Sequence, residues 1–232
     1  MKIDNSFFIN YKKTSIQLFQ DILYKNDRGG FDEQALPAYT NPNPLMRYLF
    51  WQRVKFSMEY ISDLENCDLC MDFGCGFGVM IPFLMNKSTN IIAVDLDTSM
   101  LQEIGKEQKW TNVRYSQRID DLTKYNGRVD LILAMDVLEH IQDINGTLES
   151  FKRLISPHGS ILITGPTENL LYKIGRKIAH YSGDYHRTNI YNIADDLSRF
   201  FTISHYKTLF PVINFFEIYI ANIKLYTLGI NR

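Results

Sequence analysis

Three glycines separated by single residues follow a short apolar run, and this spacing is typical of a turn that binds a nucleotide cofactor. Gly74, Gly76 and Gly78 come directly after the predicted strand 69–73. Because glycine has no Cβ, the backbone can turn sharply there and approach a ligand closely. A dinucleotide-binding turn would carry its third glycine at position 79, where this chain has Val79. The spacing therefore predicts a nucleotide-containing cofactor and disfavours a dinucleotide; the alternative is a glycine-rich turn without a ligand.

Two carboxylates accompany the glycine turn. Asp72 lies within the strand before Gly74, where a buried strand normally carries an apolar residue. A carboxylate there suits a cofactor with a positively charged amino group. Asp95 ends the next predicted strand, where an acid in a doubly wound sheet accepts hydrogen bonds from both ribose hydroxyls and repels a 2′-phosphate. Together these residues predict an adenosine cofactor without that phosphate, whereas Asp95 alone would be typical of a turn or a helix N-cap.

The elements that must position these residues alternate between short apolar runs and segments of helix length. Such alternation predicts a parallel sheet covered on both faces, in a doubly wound α/β fold. We expect an N-terminal helical segment at 1–65, the main domain at 66–232 and a lid insert at 166–192. The predicted strands are 69–73, 90–95, 112–115, 129–134, 160–164, 200–209 and 216–224, and the predicted helices of the main domain are 79–86, 98–108 and 144–155.

Several motifs taken together resemble those of a known family. They are Asp72 with the three alternating glycines, Asp95, the segment 130–140 (DLILAMDVLEH) and the segment 155–163 (ISPHGSILI). This set resembles the class I S-adenosylmethionine-dependent methyltransferases. The resemblance implies a Rossmann-like, seven-stranded, mostly parallel sheet with one antiparallel strand, and S-adenosylmethionine bound across the carboxyl ends of the strands. The small-molecule branch that includes ubiquinone-biosynthesis O-methyltransferases is the most similar, since it often carries Asn-Pro-Leu-Arg where this chain has NPLMR at 43–47.

The resemblance also implies which residues contact the cofactor. The glycine turn would hold the methionine part and Arg47 its carboxylate. Asp95 would bind the ribose, the adenine would lie near Ile119 and Asp120, and Met135 would line the site beside the sulfonium. The full set of residues assigned to the cofactor is Arg47, Asp72, Gly74, Cys75, Gly76, Asp95, Leu96, Ile119, Asp120 and Met135.

Three potential metal ligands follow the fourth predicted strand. Asp136, Glu139 and His140 stand at i, i+3 and i+4, which would place them on one face of a helix beginning there. In the ubiquinone branch an acid, a Glu and a His at matching positions look like a divalent-metal site, so the resemblance implies a metal here. The alternative is local packing of these side chains at a helix N-terminus.

A hydroxyl acceptor must lose its proton during methyl transfer, which requires a base or a metal near the methyl group. His186, aligned by Asp184, is the candidate general base. Both residues lie in the insert 166–192, whose polar and aromatic composition is typical of a lid that contacts substrate. The alternative is a hydrogen-bonded loop histidine.

The composition limits the functional classes. A net charge of −1 over 232 residues gives no reason to expect nucleic-acid binding. Three cysteines, two of them spaced as Cys67-x-x-Cys70, indicate buried thiols in a reducing compartment more than a redox pair or a zinc half-site. No run of 18 apolar residues occurs, and we expect a cytoplasmic protein. The basic amphipathic stretch 170–178 is interpreted as a cap helix or, alternatively, as a peripheral membrane contact.

From these observations we predict an enzyme that transfers a methyl group from S-adenosylmethionine to a small-molecule or lipid-like acceptor, at oxygen rather than at carbon or nitrogen. Two alternatives remain open. The first is an NAD-dependent oxidoreductase, and the second is a non-catalytic regulatory subunit that binds S-adenosylmethionine.

Overall fold

The computed structural model describes residues 3–26, 39–41, 43–167, 188–209 and 216–223. Its helices are α1 (Asn5–Asn26), α2 (Pro44–Asp63), α3 (Ile81–Leu84), α4 (Ser99–Glu107), α5 (Ile144–Leu154) and α6 (Ile190–Ser198), with short 3-10 helices at Ile119–Tyr125 and Leu138–His140. Its strands are β1 (Cys67–Phe73), β2 (Ser88–Val94), β3 (Val113–Ser116), β4 (Val129–Met135), β5 (Ile155–Pro166), β6 (Phe201–Leu209) and β7 (Phe216–Ile223).

The strands form one seven-stranded sheet in the order β3-β2-β1-β4-β5-β7-β6. The pairs from β3 to β5 are parallel, and β7 runs antiparallel to both β5 and β6. This confirms the predicted doubly wound, mostly parallel sheet with one antiparallel strand. Because the neighbouring strands β2, β1, β4 and β5 all run the same way, the residues that follow them meet at one edge of the sheet.

Successive side chains of each central strand point to opposite faces of the sheet, so the core has two parts, one on each face. Cys70 of β1 packs with Leu133 of β4 on the face covered by α1 and α2, where Trp51 and Met58 are fully buried. On the opposite face Met71 packs with residues of α5 and α6. The helices that the sequence assigns to a separate N-terminal segment therefore contribute to the same core as the sheet.

Two helices on the second face begin at side chains that satisfy their free amides. The Asp143 carboxylate accepts a hydrogen bond from the Gly146 amide at 3.0 Å, at the start of α5. The Asn189 side chain accepts from the amides of Tyr191 and Asn192, each at 3.0 Å, at the start of α6. Such caps contribute about 1 kcal/mol each, and they set where both helices enter the sheet face.

Two elements differ from the sequence-based expectations. The helix expected at 79–86 is the single turn α3, whose first residues include Pro82; proline has no amide hydrogen to donate and so favours the first turn of a helix. Strand β5 begins at Ile155 rather than at 160, with an irregular register between Val129 and Leu131. Of the expected lid, residues 168–187 lie outside the described residues, and its end is the start of α6.

Truncation of Met58 tests whether α2 belongs to the core. We expect Met58→Ala to lower the free energy of unfolding by about 2–5 kcal/mol, because the residue is fully buried between α2 and the sheet. Tyr48→Ala on the same helix, where the side chain is 47% exposed, should change it by no more than about 0.5 kcal/mol. Urea denaturation followed by circular dichroism measures both. Equal stability of the two variants would contradict a shared core.

Candidate functional site

The glycine turn lies at the carboxyl end of β1 and is held against the end of β2. The Gly74 and Cys75 amides donate to the Val94 carbonyl at 2.8 and 3.1 Å, and the Gly78 amide donates to the Cys75 carbonyl at 2.7 Å. All three glycines have positive φ, between 48° and 75°. This left-handed backbone explains why glycine occupies the alternate positions.

Gly74 is also required by close packing. A Cβ atom at this position would lie 2.4 Å from a methyl group of Val137, which follows β4. The turn after β1 is therefore in close contact with the segment after β4, with no room for a side chain between them. At Gly127 φ is +68°, but nothing lies within 4 Å of the corresponding Cβ position.

Asp95 follows β2 and reaches back to the glycine turn. Its Oδ2 atom accepts a hydrogen bond from the Gly76 amide at 2.8 Å, and its Oδ1 atom accepts a long one from the Asp97 amide at 3.4 Å. The carboxylate is half-buried, and the neighbouring Leu96 is 90% exposed. A half-buried carboxylate at this edge suits the ribose contact predicted for Asp95, and the exposed Leu96 is free to contact the cofactor.

Asp72 is buried beneath the turn. It is 4% exposed, and no hydrogen-bond donor among the described residues is directed at its carboxylate. Burial, with a smaller contribution from the negative charge of Asp95, raises the pKa of Asp72 to about 7. A buried carboxylate without a partner is costly unless a cation neutralises it. The site therefore fits a ligand that brings a positive amino group, such as the methionine part of S-adenosylmethionine.

Helices α1 and α2 cover the glycine turn on the face of Asp72. The Tyr11 hydroxyl of α1 donates to the Val79 carbonyl at 2.6 Å, and the ring of Phe19 lies 6.1 Å from that of Phe77. Burial raises the pKa of Tyr11 and of Tyr39. These contacts, which sequence reasoning missed, enclose the turn and keep water from Asp72.

Arg47, predicted to bind the cofactor carboxylate, lies on the first turn of α2. Its Nη1 atom donates to the Asn41 carbonyl at 2.6 Å. Burial and the charge of Arg47 together lower the pKa of Lys12 on α1. Two neighbouring cations of this kind suit a carboxylate ligand, because an anion relieves their repulsion. Lys12 is a further candidate that the sequence analysis did not identify.

The expected metal ligands are arranged differently from the prediction. Asp136 has a left-handed backbone, with φ +50°, and its carboxylate pairs with Arg53 of α2 and accepts a hydrogen bond from the Thr164 hydroxyl at 3.0 Å. The segment that follows is a single 3-10 turn with Glu139 buried and His140 exposed. Within the described ranges, no group of three His, Cys, Asp or Glu side chains is placed to hold a metal ion. The expectation of three ligands on one helix face is therefore corrected.

The remaining predicted residues belong to three different parts of the chain. Ile119 begins a 3-10 helix and is partly buried, and the exposed Asp120 lies 3.8 and 3.9 Å from guanidinium nitrogens of Arg118 and Arg153. Met135 ends β4 and packs on the same face as α2. His186 and Asp184 lie outside the described residues.

All three cysteines are free and buried. Cys67 and Cys70 lie on β1, at some distance along the strand from the turn that holds Cys75. Burial raises the pKa of the Cys75 thiol, with a further contribution from the charges of Asp72 and Asp95. A neutral buried thiol is unreactive, so Cys75 contributes backbone to the turn rather than chemistry.

A cavity of about 450 Å³ lies at the opposite edge of the sheet. Its lining residues come from the amino ends of the strands and include Asp68, Asn90, Arg114 and Asp130. The Asp130 carboxylate is already bound by the amides of Asp68 and Leu69. Because ligands of open α/β sheets bind at the carboxyl ends of the strands, this cavity is not assigned to the cofactor.

Comparison with known proteins agrees with this geometry. Residues 50–215 match the family model described as a methyltransferase domain. The match covers β1 to β6 and more than half of the chain. The chain therefore belongs to this methyltransferase family, as a class I S-adenosylmethionine-dependent methyltransferase. This overturns the alternative of an NAD-dependent oxidoreductase.

Curated relatives share a shorter region. The ubiquinone biosynthesis O-methyltransferase of Coxiella burnetii (strain RSA 493 / Nine Mile phase I) is 31% identical over 103 residues, which are 43% of this chain and 44% of that protein. The protein of the same name from Acinetobacter baylyi is 21% identical over 131 residues, 50% of this chain and 55% of that protein. The alignments thus span about half the length of these relatives.

Solved structures share the fold over most of the chain. A protein of Pyrococcus horikoshii OT3 is 17% identical, with a TM-score of 0.65 over 84% of this chain and 100% of that one. Magnesium protoporphyrin IX methyltransferase from Synechocystis PCC 6803, solved with bound S-adenosylhomocysteine, is 15% identical, with a TM-score of 0.59 over 94% of this chain and 100% of that one. At these identities the likeness concerns the fold.

The raised pKa of Asp72 predicts a pH dependence of cofactor binding. If the ionised carboxylate binds the amino group, affinity for S-adenosylhomocysteine should rise about tenfold between pH 6 and pH 8, as a group with pKa about 7 loses its proton. Isothermal titration calorimetry measures this. In Asp72→Asn the affinity should be lower, and this rise should disappear. An unchanged pH dependence in the variant would exclude Asp72 as its source.

The raised pKa of Asp72 also predicts how the free energy of unfolding changes with pH when no ligand is added. The folded protein keeps the Asp72 proton up to about pH 7, whereas the unfolded chain loses it near 3.8, the ordinary pKa of an aspartate side chain. The folded state therefore binds more protons between these values, and the Asp72 contribution to stability falls as the pH rises through this window. Relative to wild type, Asp72→Asn should gain up to about 2–4 kcal/mol between pH 4 and pH 8, measured by urea denaturation.

Two glycine variants separate packing from backbone strain. Gly127→Ala introduces left-handed strain alone and should cost about 1–2 kcal/mol. Gly74→Ala adds a collision with Val137 and should cost about 1–3 kcal/mol more, and it should also weaken binding of S-adenosylhomocysteine. Denaturation and calorimetry on both variants measure the difference. Equal costs would show that the turn and the segment after β4 are not in tight contact.

Proposed function

We propose that this protein transfers the methyl group of S-adenosylmethionine to a small-molecule or lipid-like acceptor, at an oxygen atom. The main support is the arrangement at the carboxyl edge of the sheet. There the Asp95 carboxylate accepts a hydrogen bond of 2.8 Å from the Gly76 amide, and the carboxylate of Asp72 is buried beneath the same turn. One carboxylate suits the ribose hydroxyls and the other the amino group of the same ligand.

The choice of oxygen follows from the relatives. The curated proteins that match this chain over about half their length are named ubiquinone biosynthesis O-methyltransferases. The particular acceptor of those enzymes is not assigned to this protein, since the alignments cover only part of either protein. The proposal takes from them the class of acceptor, a hydroxyl group on a small or lipid-like molecule.

The chain's own residues have three tasks in this reaction. When bound, S-adenosylmethionine supplies an electrophilic methyl group on a sulfonium, and the electrons of the broken C–S bond stay on sulfur. The glycine turn with Asp72 and Asp95 binds and orients the ligand, and α1 with Tyr11 excludes water from this face. The acceptor oxygen forms the new bond and gives its proton to a base, for which we propose His186 aligned by Asp184.

Two acid-to-amide variants in one loop test the proposal. Asp95→Asn should weaken binding of S-adenosylhomocysteine about 10- to 100-fold, because the ribose hydroxyls and the Gly76 amide would lose a negatively charged hydrogen-bond acceptor. Asp97→Asn is the matched control: its Oδ1 atom accepts from the Ser99 amide, and asparagine can make the same contact. Calorimetry measures binding, and transfer of labelled methyl from S-adenosylmethionine into a cell extract measures turnover.

The two measurements separate the enzyme from a regulatory subunit. Binding lost in Asp95→Asn, together with labelled product from the wild type, supports the proposal. Tight binding by the wild type without any labelled product would favour the regulatory role. Absence of binding would contradict both. Identification of the labelled product then gives the acceptor and shows whether oxygen carries the methyl group.

A further inference from the structure

Arg53 is a buried cation on α2 that belongs to none of the motifs of the sequence. It is 2% exposed, and its guanidinium forms an ion pair with Asp136. The guanidinium carbon lies 4.5 Å from the centre of the Phe50 ring, and the charge of Arg53 partly offsets the burial that raises the pKa of Tyr39. Burying a guanidinium is costly unless it is paired, so its place between α2 and the end of β4 requires an explanation.

Its partner Asp136 is held in an unusual conformation. A non-glycine residue with φ +50° carries backbone strain, which the surrounding contacts must offset. Thr164 on β5 supplies two of these contacts: its carbonyl accepts from the Asp136 amide at 3.1 Å, and its hydroxyl donates to the Asp136 carboxylate at 3.0 Å. The left-handed turn lets the carboxylate reach α2 on the face of the sheet that also carries Asp72.

The position of Asp136 relates it to the cofactor. The preceding residue, Met135, is the one that the family resemblance implies beside the sulfonium, and the following residue, Val137, packs on Gly74 of the cofactor turn. Strands β1 and β4 are direct neighbours, with Asp72 paired to Leu133 two residues before Met135. A carboxylate at this place is therefore close to the glycine turn and to the end of β1, which under the proposed function hold the methionine part of the methyl donor.

We propose that Arg53 is a positioning residue that neutralises Asp136 and so withholds its carboxylate from the sulfonium. This inference rests on the proposed function. During methyl transfer the sulfonium loses its positive charge as the C–S bond breaks and the sulfur becomes a neutral thioether. A free carboxylate nearby would stabilise the charged donor more than the transition state and would raise the barrier. Pairing with Arg53 removes this penalty while Asp136 keeps its place beside Val137.

The inference makes a prediction about binding that needs no acceptor. S-Adenosylmethionine carries the sulfonium charge and S-adenosylhomocysteine does not, so the ratio of their dissociation constants reports the local charge. In Asp136→Asn the guanidinium is left without its counter-charge, and the preference for S-adenosylmethionine should fall about fivefold or more. Asparagine tolerates the left-handed backbone and can still accept from Thr164, so this variant should fold.

The opposite change should have the opposite sign. Arg53→Met exposes the Asp136 carboxylate to the ligand, and the preference for S-adenosylmethionine should rise about fivefold or more. Arg53→Lys keeps the charge and should stay within about twofold of the wild type. The double variant Arg53→Met with Asp136→Asn carries neither charge and should return to the wild-type ratio. Calorimetric titration of each variant with both ligands measures the ratios.

The outcomes distinguish this inference from the function on which it rests. Opposite shifts in Asp136→Asn and Arg53→Met, with the wild-type ratio restored in the double variant, support the charge role, and if Arg53→Met does not fold, Arg53→Gln takes its place and should give the same upward shift. Equal weakening of both ligands would show that the pair has only a structural role, and the inference would be wrong while the proposed function stands. A wild-type protein that binds neither ligand would overturn the proposed function and this inference together.

Discussion

The burial of one carboxylate determines much of the arrangement around it. Asp72 is 4% exposed on a central strand, and its charge has no described hydrogen-bond partner. Water is kept away by α1 and α2, which pack over the glycine turn through Tyr11 and the aromatic side chains of the core. The ionised Asp72 is thus a negative charge at one defined place, without a counter-charge among the described residues, and a ligand with a positively charged amino group can compensate it. The cost of that burial is offset by the core on the same face of the sheet.

The turn above Asp72 joins three strands. Hydrogen bonds connect the ends of β1 and β2. The Gly74 and Cys75 amides donate to the Val94 carbonyl, and the Gly76 amide donates to the Asp95 carboxylate. The end of β4 is added by the contact between Gly74 and Val137. The site is therefore built from the strand ends of one sheet with the N-terminal helices above them.

None of the described helices is both long and apolar enough to cross a membrane.

Local patterns predicted the sheet and the cofactor edge, because both depend on residues close in sequence. The alternating glycines, Asp72 and Asp95 need only their own strands to be placed. Arg53 could not be recognised in this way, since its role arises from a contact across 83 positions of sequence with Asp136. The metal prediction assumed a regular helix after β4, whereas the left-handed backbone at Asp136 turns its carboxylate toward α2. That conformation is a tertiary effect, and no spacing rule contains it.

The match to the family begins at residue 50, yet the cofactor edge is covered from residues before it. Tyr11, which bonds to the Val79 carbonyl, and Tyr39, which contacts Trp51 within 5.3 Å between ring centres, both precede the matched region. The matched region therefore contains the strand ends that form the cofactor edge but only part of the covering that shields them from water. A sequence comparison confined to that region would recover the binding residues without Tyr11 and Tyr39.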